Sequence, residues 1–374
     1  MRRALLACIA VAAGPLALPG PGALADAAPR HAAITITSDQ GFLSCRCVTA
    51  GNGTAASPYV IGPWTITAPS GGTSGWSVKV DDSTGQISAH FTITGIASAY
   101  KDANPSDPAI WLVGIHTPTQ ITSGQNASSA TAANGDGTGV RLDGSSNIAL
   151  DNLAYNKMNG PGVYLNGSAD VTINNSKFKS LGSTRPDGDG IYAVNSSYLQ
   201  IGTGADCPHN SPCIDTTYDN GFGIDLVNTH NVVINATTAS SNDTGGFLLD
   251  GPGTYQVTVE NSHATGIGPI CVTVNHQRVN TGYYSDLQNS LSLVHGAHGN
   301  TFLGDTFHIP SGTGYSIASG GNGFFIDACA GYARQPFTPA EAPAGAGNAF
   351  TTVCYNQPAD YPGLPPSATN CPGS

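Results

Sequence analysis

Charge is what this sequence has least of. Only 10% of its 374 residues are Asp, Glu, Lys or Arg, and the basic ones are the scarcer, 13 against 24 acidic. So thin a supply of Lys and Arg excludes the clustered positive face that nucleic acid or an anionic membrane demands. Past the first residues there is no long apolar run, so nothing downstream reads as a membrane-spanning helix. Histidines and cysteines occur, but never at Cys-x-x-Cys or His-x-x-x-His spacing, which argues against a zinc site.

The opening stretch, MRRALLACIAVAAGPLALPGPGALA, has the parts of a secretory signal: Arg2 and Arg3, an apolar run, and the small residues Ala23-Leu24-Ala25 before a cut. Gly14, Pro15, Pro19 and Pro21 break the run, which is too short for an anchor. Residues 1–25 are therefore expected to be removed, leaving a secreted or periplasmic protein. Its charge would be two units more negative than the −11 of the full sequence.

Without Cys8 the chain keeps Cys45, Cys47, Cys207, Cys213, Cys271, Cys329, Cys354 and Cys371. An even set in an exported chain reads as disulfides. Cys207–Cys213 would close the loop CPHNSPC, Cys354–Cys371 would tie down the Pro-rich end, and the remaining pairings are open.

What is abundant is glycine, 48 residues of it, together with Ser, Thr and Asn, and these punctuate a repeat. The pattern glycine, apolar, any, apolar recurs as GVRLD from Gly139, GVYLN from Gly162, GIYAVN from Gly190, GIDLVN from Gly223 and GFLLD from Gly246. A second strand follows each copy, and often a third. Weaker copies upstream include WSVKVD and AIWLVGI. Two or three strands in a period of roughly 23 residues describe one coil of a solenoid, half of what a propeller blade needs. A coil cannot bury its apolar residues alone, so coils must stack, Val140 and Leu142 resting on Val163 and Leu165. The polar residues closing the first strand, Asp143, Asn166, Asn195, Asn228, Asp250 and Asn275, are expected to stack as a ladder. The fold predicted is all-β, a right-handed parallel β-helix of about 10–12 coils over residues 26–355. Residues 356–374 form a Pro-rich tail on its end.

Alternation turns Arg141 outward, with Tyr164, Tyr192, Asp225 and Leu248 following it, one per coil. The stretch RPDGDGIY adds Arg185 and two aspartates, Asp187 and Asp189, whose spacing is about 6.6 Å between Cα atoms. Asp189 is expected beside the outward column. The pair suits acid–base chemistry or a calcium ion, and it also suits a plain turn, since Asp-Gly is turn chemistry. Lys177 and Lys179 flank Phe178 and should point out where the phenylalanine points in. With Arg141, Lys157 and Arg185 they would place most of the basic charge near the two aspartates. The histidines, among them His230, His263 and HGAHG from His295, offer a weaker metal-binding alternative.

In coil period, polar ladders and the glycine-led first strand, the chain resembles the right-handed parallel β-helix proteins of the pectin-lyase-like superfamily. That group includes pectate lyases, polygalacturonases, uronate epimerases and non-catalytic proteins. PDGDGI is similar to a polygalacturonase motif, but the next coil has DNGFGID in place of the paired Asp-Asp that belongs with it, and no Gly-His-Gly or Arg-x-Lys occurs. The resemblance implies an extracellular polysaccharide as partner and a lyase or glycoside hydrolase acting on a uronate-containing glycan. On that reading Asp187, Asp189 and Arg141 are the catalytic candidates, and Asp187 and Asp189 are also the calcium ligands. Tyr164, Tyr192, Lys177, Lys179, Arg185 and Asp225 would hold the substrate. A non-catalytic glycan-binding or cell-surface β-helix is the alternative. The chain is expected to be a monomer that neither binds nucleic acid nor inserts into a membrane.

Overall fold

The computed structural model describes residues 28–66, 75–98, 107–126, 137–179, 181, 188–204, 213–217, 220–242, 245–266, 271–274, 277–280, 289–294, 297, 299–303, 306–308, 315–317, 323–325, 329–330, 349–351, 354–355 and 369–370. The expected signal segment, nearly all of the tail, Arg185, Asp187, Cys207 and Cys371 lie outside them, as does the pair in HGAHG.

Each full coil makes three strands and three bends. In one coil Thr138–Asp143 lies in a front sheet, Ser146–Asp151 in a second sheet and Ala154–Asn156 in a third. The chain then re-enters the front sheet at Val163–Asn166. The three sheets hold ten, twelve and ten strands, in keeping with the expected number of coils. Pairing is parallel and in register: Val140 sits between Ile110 and Val163, and Leu142 between Leu112 and Leu165. All six are buried. This continuous apolar column is what makes the coils cohere, since no single coil has an interior of its own.

The glycine that leads each front strand has a steric cause. A Cβ on Gly190 would lie 2.6 Å from the carbonyl oxygen of Gly223 and 2.7 Å from Thr216. On Gly162 it would lie 2.7 Å from the Gly190 oxygen and run into the Phe178 ring. The third-sheet side chains pass under the start of the front strand and leave no room for a methyl group.

At the bends the backbone turns left-handed. Asn152, Asn175 and Asn261 take φ of 54°, 48° and 50°, a region Asn tolerates better than most residues. Between the front and second sheets the bend is stitched by hydroxyls. The backbone N–H of Ser145 donates to Ser168 Oγ (3.2 Å), that of Ser168 to Ser196 Oγ (3.1 Å), and that of Ser196 to Thr229 Oγ1 (3.2 Å). These residues are buried, so each hydroxyl satisfies a donor that would otherwise be stranded.

The polar ladder differs from expectation. Asn166 Nδ2 does donate to Asp143 Oδ1 at 3.1 Å. The column then continues through Val194, Val227 and Asp250, while Asn195 and Asn228 fall one residue later, at left-handed bends. The reason is a single residue: GIYAVN and GIDLVN are one longer than GVYLN before the asparagine. Asn275 lies outside the described residues.

The N-terminal end carries a short helix, Asp39–Ser44. Its Phe42 is buried, 5.1 Å from Tyr59 and 5.2 Å from Phe91 between ring centres. The Asp39 carboxylate accepts from Ser88 N, Ser88 Oγ and Ala89 N at 2.9, 2.6 and 2.9 Å. A disulfide joins Cys45 to Cys47. Among the described residues no helix is long and apolar enough to cross a membrane.

Candidate functional site

The outward column of the front sheet starts earlier than the sequence suggested. Register runs from Lys79 to Trp111, Arg141, Tyr164, Tyr192, Asp225 and Leu248, one residue per strand. Strands about 4.8 Å apart bring these side chains into mutual contact. Lys79 Nζ lies 4.2 Å from the centre of the Trp111 ring and 5.1 Å from that of Trp76. The Arg141 guanidinium is sandwiched, 5.1 Å from Trp111 on one side and 5.1 Å from Tyr164 on the other. Tyr164 and Tyr192 stack in turn, 5.2 Å apart and 4° from parallel.

A second column locks the first. Lys79 meets Asp81 at 2.8 Å. Arg141 Nε and Nη2 donate to Asp143 Oδ2 and Oδ1 at 2.7 and 3.2 Å. Trp111 Nε1 donates to the same Asp143 Oδ2 at 2.7 Å. Each cation thus sits over an aromatic ring and is paired with a carboxylate two residues on. Cation–π and ion-pair contacts of this kind contribute roughly 0.5–1 kcal/mol each where exposed.

The electrostatics follow. Burial pushes the Asp81 carboxyl up, but the bonds from Lys79 and Ser83 and the charge of Lys79 outweigh it and leave it below 3.8. Burial likewise pushes the Tyr164 phenol up, Arg141 draws it down and Asp143 pushes it up again, leaving it above 10.0. A raised acid costs nothing while both folded and unfolded states keep the proton, and it destabilises the fold once the unfolded chain ionises first. Thermal melts should therefore fall as pH rises above about 10, and Tyr164→Phe should blunt that fall. An unchanged alkaline slope in the variant would refute the assignment.

The other expected site residues are not brought together. Lys177 and Lys179 belong to the third sheet, on the strand Ser176–Lys179, where Lys177 pairs in register with Asp215 and Lys179 Nζ meets the Asp215 carboxylate at 3.3 Å. They share a coil with Tyr164 but face another direction. Asp189 is fully buried and its Oδ1 accepts from the backbone N–H of Phe222 at 2.7 Å, so it does not flank the outward column. An interior carboxylate tied to the chain does not fit an exposed calcium site. Among the described residues no group of three or more His, Cys, Asp or Glu is placed to hold a metal ion. Asp225 keeps its place in the column but is buried, as is Leu248. The half-exposed stretch therefore runs from Lys79 to Tyr192.

Trp76, Lys79, Asp81, Trp111 and Asp143 were absent from the expected site, although their signal is in the sequence. VKVD at Val78–Asp81 and VRLD at Val140–Asp143 are two copies of one strand, with a cation outward and an aspartate two residues later.

The family model described as "right handed beta helix region" matches residues 119–330, more than half of the chain. The chain belongs to this β-helix family. No curated protein matches it closely enough to count as a relative. Among solved structures this β-helix is similar to an alginate lyase from Paenibacillus sp. str. FPU-7, with 15% identity and a TM-score of 0.42 over 90% of this chain and 99% of that one. It is also similar to the pectate lyase Pel9A, with 14% identity and a TM-score of 0.43 over 93% and 80%. A third is the mannuronan C-5 epimerase AlgE4 A-module of Azotobacter vinelandii, with 12% identity and a TM-score of 0.35 over 82% and 74%. Likeness at this level leaves the substrate and chemistry of the β-helix to be read from its own side chains.

Proposed function

We propose that the chain acts on an extracellular polysaccharide laid along the outward face of the front sheet, across the strands from Val78–Asp81 to Ile191–Val194. The observation that carries this reading is the in-register ladder Lys79, Trp111, Arg141, Tyr164 and Tyr192. A row that repeats one side chain per coil matches a polymer that repeats one sugar at a time. The ladder is pre-organised, so little side-chain freedom is lost on binding.

The roles follow from the packing. Arg141 spends Nε and Nη2 on Asp143, and Nη1 remains to meet a carboxylate or a pair of hydroxyls. A guanidinium does not give up its proton in proteins, so Arg141 holds substrate and is not the base. Both faces of Tyr164 are covered, by Arg141 and by Tyr192, so the tyrosines offer edges and hydroxyls to a sugar. Of the expected acid–base pair, Asp187 is the remaining candidate. The finer reading is a lyase or hydrolase of a uronate-containing glycan. Because Asp81 and Asp143 already balance Lys79 and Arg141, binding should depend only weakly on salt.

The test combines affinity electrophoresis with mass spectrometry of products on pectate, alginate, glucuronan and neutral glucans, with calcium and with a chelator. Unsaturated uronate ends define a lyase, and hydrolysed ends a hydrolase. Binding without new ends selects the non-catalytic alternative on the same face. Trp111→Ala should weaken binding about tenfold or more, the loss expected for one aromatic anchor. Binding that ignores Trp111→Ala and Arg141→Ala alike would remove the front face from consideration.

A further inference from the structure

The second sheet carries a groove that the front face does not explain. Asp170, Thr172, Tyr198, Gln200, Asn231 and Val233 line a shallow depression of about 270 Å³. It spans the three neighbouring strands Ala169–Asn174, Ser197–Ile201 and His230–Asn235. Thr172, Gln200 and Val233 form its floor as an outward column in register.

Tyr198 is the anomaly. Its side chain is 57% exposed, and its backbone is left-handed, with φ of 55°. The bend takes this conformation in five successive coils. In register with Tyr198 stand Asn147, Asp170, Asn231 and Gln256, with φ of 60°, 51°, 56° and 54°. Asn and Asp take that conformation at low cost, because a short polar side chain bonds locally, whereas a bulky residue is strained there. Packing compensates Tyr198 only weakly. The nearest ring, His230, meets it edge-on at 6.5 Å, and His230 itself stacks on Tyr255 at 4.7 Å. A strained residue that the fold rewards so little is a pointer to a ligand.

We propose that this groove binds a neutral sugar of a glycan chain, at a site separate from the front face. The exposed Tyr198 ring offers its face to the C–H face of a pyranose. Asp170 accepts hydroxyl protons, and Thr172, Gln200 and Asn231 both donate and accept. Among the described residues no Lys or Arg lines the groove, and Asp170 repels a carboxylate, so the chemistry selects uncharged sugars over uronates. The two faces thus divide the work by charge: cations on the front sheet, none on the second.

The experiment titrates the full mature chain with neutral linear oligosaccharides of glucose, xylose and mannose, and with oligogalacturonate. Binding is followed by tyrosine fluorescence and calorimetry. At least one neutral oligosaccharide is expected to bind, and Tyr198→Asn to weaken it about tenfold or more, the equivalent of one lost aromatic contact. The same variant should melt at a higher temperature than the parent, because the bend then carries a residue suited to it. That separates loss of binding from loss of fold. Trp111→Ala on the front face should leave this binding unchanged, which keeps the two sites distinguishable. The proposal is overturned if no neutral oligosaccharide binds, if Tyr198→Asn binds as well as the parent, or if oligogalacturonate is preferred in the groove.

Discussion

Gly162→Ala should destabilise the protein by about 3 kcal/mol, the upper part of the range for overpacking a filled interior. Glycine to alanine ordinarily stabilises slightly, by restricting the unfolded chain, so the sign here is set by contact. The added Cβ would sit 2.7 Å from the Gly190 carbonyl oxygen and against the Phe178 ring. Gly190 cannot retreat, because its oxygen accepts the Val163 N–H at 3.1 Å. Phe178 cannot swing aside either, since it is fully buried. In a thermal melt the loss should appear as a fall of about 4 °C for a chain of this size. Phe178→Leu introduced together with Gly162→Ala should recover part of it, the coupling expected of groups in contact. Additive losses in the double variant would show that the ring is not the obstacle.

Asp189→Ala should cost about 2–3 kcal/mol, because it strands the buried N–H of Phe222 that Asp189 Oδ1 now accepts at 2.7 Å. Asp189→Asn keeps an acceptor oxygen and should recover much of that loss. A catalytic Asp189 makes the same forecast for the melting of Asp189→Asn but a different one for its activity, which would be gone. Melting temperature and product yield, measured on the same preparations, separate the two roles. A stable but inactive Asp189→Asn protein would restore the aspartate to the active site.

The inward position of Asp189 was legible. Ile191 points into the core as the first apolar residue of GIYAV, and Asp189 precedes it by two, on the same side of an extended chain. Pro161 and Phe222, its counterparts in the coils on either side, are buried as well. The coil period, the inward columns and the outward row from Arg141 to Leu248 could be read from alternation alone. The placement of Lys177 and Lys179 could not, because alternation says inward or outward and not which of three sheets a strand joins. That depends on how many residues each bend consumes. The front of the ladder was hidden for another reason. VKVD and IWLV stand out only as weaker copies without the leading glycine that fixes the register of the later ones, so the sequence alone did not align Lys79 and Trp111 with Arg141. Asp225 shows a different limit, for its column position is as expected and only its covering is not. Burial of an outward residue is a tertiary fact with no local signature.

The buried Phe42 has a consequence beyond its own packing. A stack of parallel coils ends in a row of open strand edges, and another stack could continue it as readily as another coil does. At the N-terminal end the helix Asp39–Ser44 lays an aromatic ring across the core and fixes itself there through Asp39. A second molecule arriving head-on would meet that helix across the core, beside the edge strands Arg30–His31, Ile34–Ile36 and Val48–Ala50. Opening that helix, by Phe42→Ser for example, would turn one end of the molecule into a seed for filaments.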